Sequence, residues 1–306
     1  MGWSPAQTAP VQAAPVQSSP VPAARVRPSP VPASSTPPAP VQASPLRAAP
    51  ADGPMPGGTA NRGLVIRAGH VVRRPLAPSW AATHALLAHL AAVGFDGAPS
   101  VLATDATTET LTYMAGWAAI PPLRDDMLTD QVLVSVAELL RRYHQAVASF
   151  EPDGYQWPRP IPAGFTTGLV SHNDVHPANL IFRDGRAVAL IDFDLAGPGS
   201  AAWDLATAAR HWSPLYDERD ITDRRQGQSL LRFRLLLDAY GLTRAGRREV
   251  AEAILENHDW SCAIITDAVN AGHSGFTDCW NSIGEVMIRA RAWCQAHYHD
   301  LLASIT

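Results

Sequence analysis

Ser171-His172-Asn173-Asp174-Val175-His176-Pro177-Ala178-Asn179-Leu180-Ile181-Phe182, answered a few residues later by Leu190-Ile191-Asp192-Phe193-Asp194, is the stretch that decides the reading of this 306-residue chain. Asp174 and Asn179 stand five apart on a polar loop that Pro177 stiffens. Asn179–Phe182 and Ala187–Asp192 read as strands, and Asp184-Gly185 between them is a strong hairpin signal. A tight hairpin folds Asp192 back toward Asn179. A carboxylate beside an amide oxygen is what a hard cation such as Mg²⁺ takes, with phosphate and water completing its shell. A second carboxylate close by, Asp174, can accept the proton of an attacking hydroxyl. Asp194 reads either as a turn-capping residue or as a further metal ligand. His176 either meets a substrate or hydrogen-bonds within its own loop.

Upstream, Leu64–Arg67 and His70–Arg74 read as two short strands around Ala68-Gly69. Ser79 is expected to cap a helix running to about Val93, and Val101–Ala103 and Glu109–Met114 read as further strands. From Thr129 onward the apolar spacing turns helical, and residues 200–212, 224–240, 247–271 and 276–303 continue in that pattern. A β-rich front and a helical back define three segments. Residues 1–60 are a disordered Pro/Ala-rich tail, or a stretch upstream of a start at Met55. Residues 61–115 form a small lobe, and 116–306 a larger helical one. The tail carries 15 of the 27 prolines, a density that favours extended polyproline over a packed core.

The order H-x-D-x-x-x-x-N, hairpin, Ile-Asp-Phe resembles the kinase-like phosphotransferases of the aminoglycoside phosphotransferase and choline kinase family, over about residues 62–300. The resemblance implies an α+β, bilobal protein-kinase-like fold with a small β-rich N-lobe and a larger, mainly helical C-lobe. It implies transfer of a γ-phosphate from ATP, with GTP the alternative donor, to a hydroxyl of a small molecule resembling an aminoglycoside, choline or a sugar. Asp174 would be the catalytic base, and Asn179 and Asp192 the Mg²⁺ ligands. His172 would brace the loop, and Asp204 would anchor it from the start of a helix. Arg73 would face the nucleotide, with Arg74 the alternative, and the segment holding Tyr113 and Met114 would either run beside the adenine or be an ordinary strand end.

Composition narrows the field. All 24 basic residues are arginine, so every mechanism that needs a lysine is excluded. The first glutamate of the chain is Glu109, and His84 stands where a helix glutamate would be expected, so the usual lysine–glutamate pair of a kinase small lobe is not expected here. That absence motivates the rival reading, a catalytically weak or inactive pseudokinase acting as a nucleotide-binding or interaction module. Three cysteines without a C-x-x-C pair argue against a disulfide framework or zinc site and for a reducing, cytoplasmic setting. The acidic body argues against nucleic acid, and the lack of a long apolar run against a membrane span. On the substrate side, Glu256, Asp259 and Trp260 fall within about one helical turn, alongside His176. They read either as an acidic, Trp-lined acceptor cleft or as core tryptophan with solvated acids.

Overall fold

The computed structural model describes residues 52–55, 58–61 and 63–305. The polyproline tail expected over residues 1–60 thus lies, up to residue 51, outside the described residues. Ten strands and seven α-helices follow in an order that keeps the sheet at the front. β1 (Gly53–Pro54), β2 (Ile66–Ala68), β3 (Val71–Pro75), β4 (Val101–Thr104) and β5 (Thr108–Thr112) form one antiparallel sheet in the order β1-β2-β3-β5-β4. β1 lies within the segment read as tail and pairs Gly53 with Arg67 and Pro54 with Ile66. A proline, which cannot donate to a ladder, is tolerated there because β1 is an edge.

The register of β3 against β5 sets up the site. Arg74 stands opposite Glu109, and Arg73 opposite Thr110. Successive side chains of a strand point to opposite faces, so Arg73 and Arg74 cannot both face inward. Glu109 shares its face with Leu111, and both are buried.

α1 (Trp80–Ala92) packs one side of this sheet through Ala82, Leu86, Leu87 and Leu90. Ser79 occupies the N-cap position, as the sequence suggests, but its side chain makes no capping bond. α2 (Asp130–Val147) is properly capped, with Thr129 accepting from the Val132 N–H, and its apolar stripe runs through Leu133, Val136, Leu140 and Tyr143. The three-stranded sheet of β6 (Trp117–Ala118), β8 (Leu180–Arg183) and β9 (Arg186–Leu190) lies against α2. β7 (Leu169–Ser171) pairs with β10 (Gly197–Gly199), bringing the two ends of the catalytic segment together.

α3 (Ala201–Trp212), α4 (Ser229–Tyr240), α5 (Arg244–Asn270), α6 (Ser274–Ala296) and α7 (Tyr298–Ser304) complete the fold. Trp203, Trp212, Phe233 and Leu236 are fully buried among them. The long apolar pattern expected over 276–303 is broken into α6 and α7 at His297. No helix among the described residues is long and apolar enough to cross a membrane.

Gly199 allows the β7–β10 pair to close. A Cβ at Gly199 would stand 1.8 Å from Ser171 Oγ and 3.1 Å from its Cβ. Gly199→Ala should therefore force β10 away from β7 and lower the melting midpoint by about 3–10 °C, the cost of an overpacked site. Gly164→Ala, whose added Cβ would meet nothing within 4 Å, should leave the midpoint unchanged. Equal midpoints for the two variants in a thermal melt would contradict this packing.

Candidate active site

The catalytic loop is held from beneath by one buried carboxylate. Asp204, in the first turn of α3 and fully buried, accepts from the His172 N–H (2.8 Å) and the Asn173 N–H (2.8 Å). Its Oδ2 also lies 3.0 Å from His144 Nε2, and the other ring nitrogen of His144 lies 2.9 Å from the Tyr240 hydroxyl. Ser200 caps α3, which fixes where Asp204 stands. His172 donates from Nε2 to the Ile191 carbonyl (3.0 Å), receives the Asp174 N–H on Nδ1 (3.3 Å) and tilts against Phe193. Burial lowers its pKa, with the Asp204 charge opposing. The side chains of His172 and Asp204 thus hold the consecutive backbone N–H groups of residues 172, 173 and 174.

Asp174 is half-buried, and its Oδ2 accepts from Asn179 Nδ2 at 2.7 Å. Burial, and after it the charge of Asp192, push its carboxyl up to about 7. Asp192 adopts a left-handed backbone, φ 64°, a strained conformation that a non-glycine residue keeps only when its surroundings impose it. Asp192 Oδ2 and Asn179 Oδ1 make no hydrogen bond among the described residues, whereas Asp192 Oδ1 is taken. Among the described residues there is no group of three or more His, Cys, Asp or Glu side chains poised as a metal cage. An amide oxygen and a carboxylate oxygen without hydrogen bonds, on segments joined by the Ile191 N–H to the Asn179 carbonyl (2.9 Å), are the donor types of a hard cation completed by phosphate and water, not of a soft-metal site.

The cation facing these carboxylates is Arg74, and this corrects the assignment to Arg73. Arg74 Nε donates to Glu109 (2.6 Å), Nη1 to Asp192 (2.8 Å) and Nη2 to Asp194 (2.6 Å). Burial works against its charge, but Asp194, Asp192 and Glu109 outweigh it and hold its pKa above the ordinary arginine value. Arg73 lies on the outer face, largely exposed, bonded to Asp105 and Thr108. A cation–glutamate pair is present after all, with both partners changed. The acid comes from β5 rather than the helix, and His84 of α1 approaches it, Nε2 to Oε2 at 2.5 Å. Asp194 is neither a free metal ligand nor a simple turn cap; it is a partner of Arg74, and burial and the neighbouring Asp192 raise its pKa.

Tyr113 donates its N–H to the His70 carbonyl (2.8 Å), and its ring lies under the Arg67 guanidinium. The Met114 backbone makes no hydrogen bond among the described residues, so of the two it is the one left open at the lobe connection. Gly116 follows with φ 139°, where an added Cβ would fall 2.5 Å from Ile181. The acidic acceptor cleft is not formed. Glu256 and Asp259 are exposed, Asp259 in an ion pair with Arg291, while Trp260 is buried and donates to the Pro160 carbonyl. The reason is helical phase: α5 turns Val250, Ala253, Ile254 and Asn257 inward, and positions 256 and 259 fall on the other side. His176, half-buried, donates its N–H to the Asp174 carbonyl (2.7 Å), and its ring stands edge-on to His211 at 4.7 Å.

A β-sheet lobe linked through Arg74 to a loop–hairpin–aspartate unit on a helical lobe is the architecture of a kinase-like phosphotransferase. Residues 155–245 match the model of the phosphotransferase enzyme family. The chain is 36% identical over 260 residues to the trifolitoxin immunity protein of Rhizobium leguminosarum bv. trifolii, covering 80% of this chain and 95% of that one. It belongs to the phosphotransferase enzyme family. Among solved structures it resembles a choline/ethanolamine kinase family protein from Mesorhizobium loti (15% identity, 84% and 92% of the two chains, TM-score 0.56). It also resembles the GDP complex of aminoglycoside 2'-phosphotransferase-IIIa (12%, 81% and 94%, TM-score 0.53). These likenesses establish the fold.

A buried hydrogen bond to a charged group is worth about 1.5–3 kcal/mol, and removing Glu109 takes one from Arg74 while Asp192 and Asp194 keep its charge paired. Glu109→Ala should show that loss in urea unfolding, and an unchanged midpoint would mean that the pair carries no weight. Stability should also bend with pH in two directions. Burial depresses the pKa of His176 to about 4 and of His258 to about 2, so the unfolded chain binds protons first. Stability is then full above about pH 6.5 and falls as the solution is acidified toward pH 4. Asp174 has the opposite sign: its carboxyl, raised to about 7, costs stability as pH climbs from about 4 through 7. Asp174→Asn should melt higher than wild type at pH 8 and at the same temperature at pH 4. A melt series with no such crossover would contradict the burial of that charge.

Proposed function

We propose that the chain is a phosphotransferase that moves the γ-phosphate of ATP, with Mg²⁺, to the hydroxyl of a small molecule. The observation that carries this is the loop that joins Asn179 to Asp174 (2.7 Å) and, through the Ile191 N–H, to the segment of Asp192, beside the raised carboxyl of Asp174. Asn179 and Asp192 would hold the cation, whose chemistry is to neutralise charge on the transferring phosphoryl group. Asp174 would take the proton of the acceptor hydroxyl as its oxygen attacks the γ-phosphorus and the bond to the ADP oxygen breaks. A base with a pKa near 7 is suited to that task at neutral pH. Arg74 would be the phosphate-side cation, able to exchange Asp192 or Asp194 for phosphate oxygens while keeping Glu109. The Met114 backbone would meet the nucleotide base. ATP chemistry of this kind fits the cytoplasm. The name of the trifolitoxin immunity protein supports a protective role, in which phosphorylation of a toxic acceptor inactivates it.

The second reading, a binding-only relative, is favoured by one observation: Arg74 is saturated by three carboxylates, so nucleotide must displace a strong pair before phosphate can reach it. Thermal melting of the full chain separates the two. ATP with Mg²⁺ should raise the midpoint, as any ligand of the folded state must, and Asp192→Ala should abolish the rise. Asp174→Asn should keep the rise but lower turnover by about 10²–10⁴-fold, the usual worth of a general base. Full turnover in Asp174→Asn would overturn the assignment of the base. A midpoint indifferent to ATP and Mg²⁺ would overturn both readings.

A further inference from the structure

Arg210 of α3 is an unusual residue in this fold. It is 3% exposed, and its Nη1 is clamped by the Asn257 carbonyl (3.2 Å), Asn257 Oδ1 (2.7 Å) and Ser261 Oγ (2.9 Å). Asn257 is itself held, donating to Thr207. Yet Arg210 Nε is buried with no hydrogen-bond partner, and none of its nitrogens makes an ion pair among the described residues. The comparison within the chain is direct. Arg74 meets Glu109, Asp192 and Asp194, Arg225 meets Asp223, and Arg232 meets Asp130, and all three are buried like Arg210. A buried cation without a counter-charge is costly, and here Nη1 is held in place while Nε is left without a partner.

Its neighbours face the acceptor side of the catalytic loop. His211, next to it on α3, meets His176 ring to ring, and His176 is two residues from Asp174. His176 Nδ1 receives the Ala178 N–H (3.2 Å), which places its own proton on Nε2, a donor without a partner among the described residues. His211 Nδ1 is engaged with the Tyr216 hydroxyl (3.0 Å). Asp174, His176, His211 and Tyr216 are all half-buried, and the charge of Arg210 bears on each of them. Among the charges that act most strongly on Arg210, the only carboxylate is Asp174. Glu256 and Asp259, the acids that would receive a polycation, point to solvent.

We propose that Arg210, flanked by His176 and His211, seats a carboxylate of the acceptor, so that the substrate is an alcohol bearing its own carboxylate. The proposal rests on the phosphotransferase reading and adds the substrate class to it. An anion at Arg210 supplies the missing counter-charge and brings the hydroxyl of the same molecule toward Asp174. A polycationic acceptor would meet an unscreened positive charge at the same spot.

The test uses the full chain with ATP and Mg²⁺. The acceptors are glycolate, D-glycerate, L-serine and 3-hydroxypropionate, each beside its amide, with choline and an aminoglycoside as cationic controls. ADP release and the acceptor-induced melting shift are both read. The expected result is that acids are preferred to their amides. Arg210→Met should lower kcat/KM for the acids by about 100-fold, the worth of a hydrogen bond to a charged group, and leave the ATP-induced melting shift in place. Because the variant removes an unpaired buried charge, its own midpoint should not fall; Arg210→Lys, which keeps the charge, should retain part of the acid preference even if the methionine variant fails to fold. Equal treatment of acids and amides, cationic acceptors turned over instead, an acid preference that survives Arg210→Met, or no acid-specific effect on turnover or melting would each overturn the proposal. Loss of the ATP and Mg²⁺ shift in wild type would overturn the phosphotransferase reading instead, and the two failures are read in separate arms.

Discussion

The loop that carries Asp174 hangs on one buried carboxylate. Asp204 is fully buried and receives two consecutive backbone N–H groups of the catalytic loop, with a third contact from His144. Hydrogen bonds to an ionised acceptor in a water-poor interior are the strong ones. They fix the loop at its root, where Asn173 takes a left-handed backbone (φ 65°) and its side chain donates to the Leu195 carbonyl. Because Tyr240 of α4 and His144 of α2 form the next links of that chain, three helices share the task of aiming Asp174. The bulk of catalysis in phosphoryl transfer is positioning, and here positioning begins one layer below the reacting atoms.

The second constraint is electrostatic. Three carboxylates, from β5 and from the segment after β9, converge on one guanidinium. Lysine would offer a point charge on a flexible stem; arginine offers a planar fork whose nitrogens diverge. A fork can bond a glutamate on its own sheet and two aspartates of the other lobe at once, which a single ammonium does less well. The exchange of lysine for arginine and the move of the glutamate from helix to strand are therefore one change. With the acid directly across the ladder from the cation, the helix position no longer needs a charge, and His84 suffices there.

Much of this was legible in the residues. The catalytic loop reads well because its chemistry restricts residue type at fixed short spacing, and the hairpin after it is announced by Asp184-Gly185. The choice between Arg73 and Arg74 was not settled by β3 alone, since strand alternation gives two faces without saying which is inner. The deciding signal lay on β5, where Glu109 shares parity with the apolar Leu111: an acid on a core face requires a cation opposite it. β1 was hidden because two residues, one of them proline, carry no strand pattern of their own. The acidic cleft misled by composition; helical phase against Val250, Ile254 and Asn257 sets Glu256 and Asp259 outside. Arg210 was invisible because nothing in sequence tells a buried arginine from an exposed one until the packing around Trp212 and Trp260 is known.

The arginine at the centre of the cleft has a chemical corollary. Reagents that find nucleotide-binding proteins by acylating or forming an imine with the amine beside the phosphates need a nucleophilic nitrogen, and a guanidinium stays protonated at any physiological pH. With no lysine anywhere in the chain, such probes have no side-chain amine to label. A survey of a cell's proteins by amine chemistry of that kind would pass over the side chains of this one.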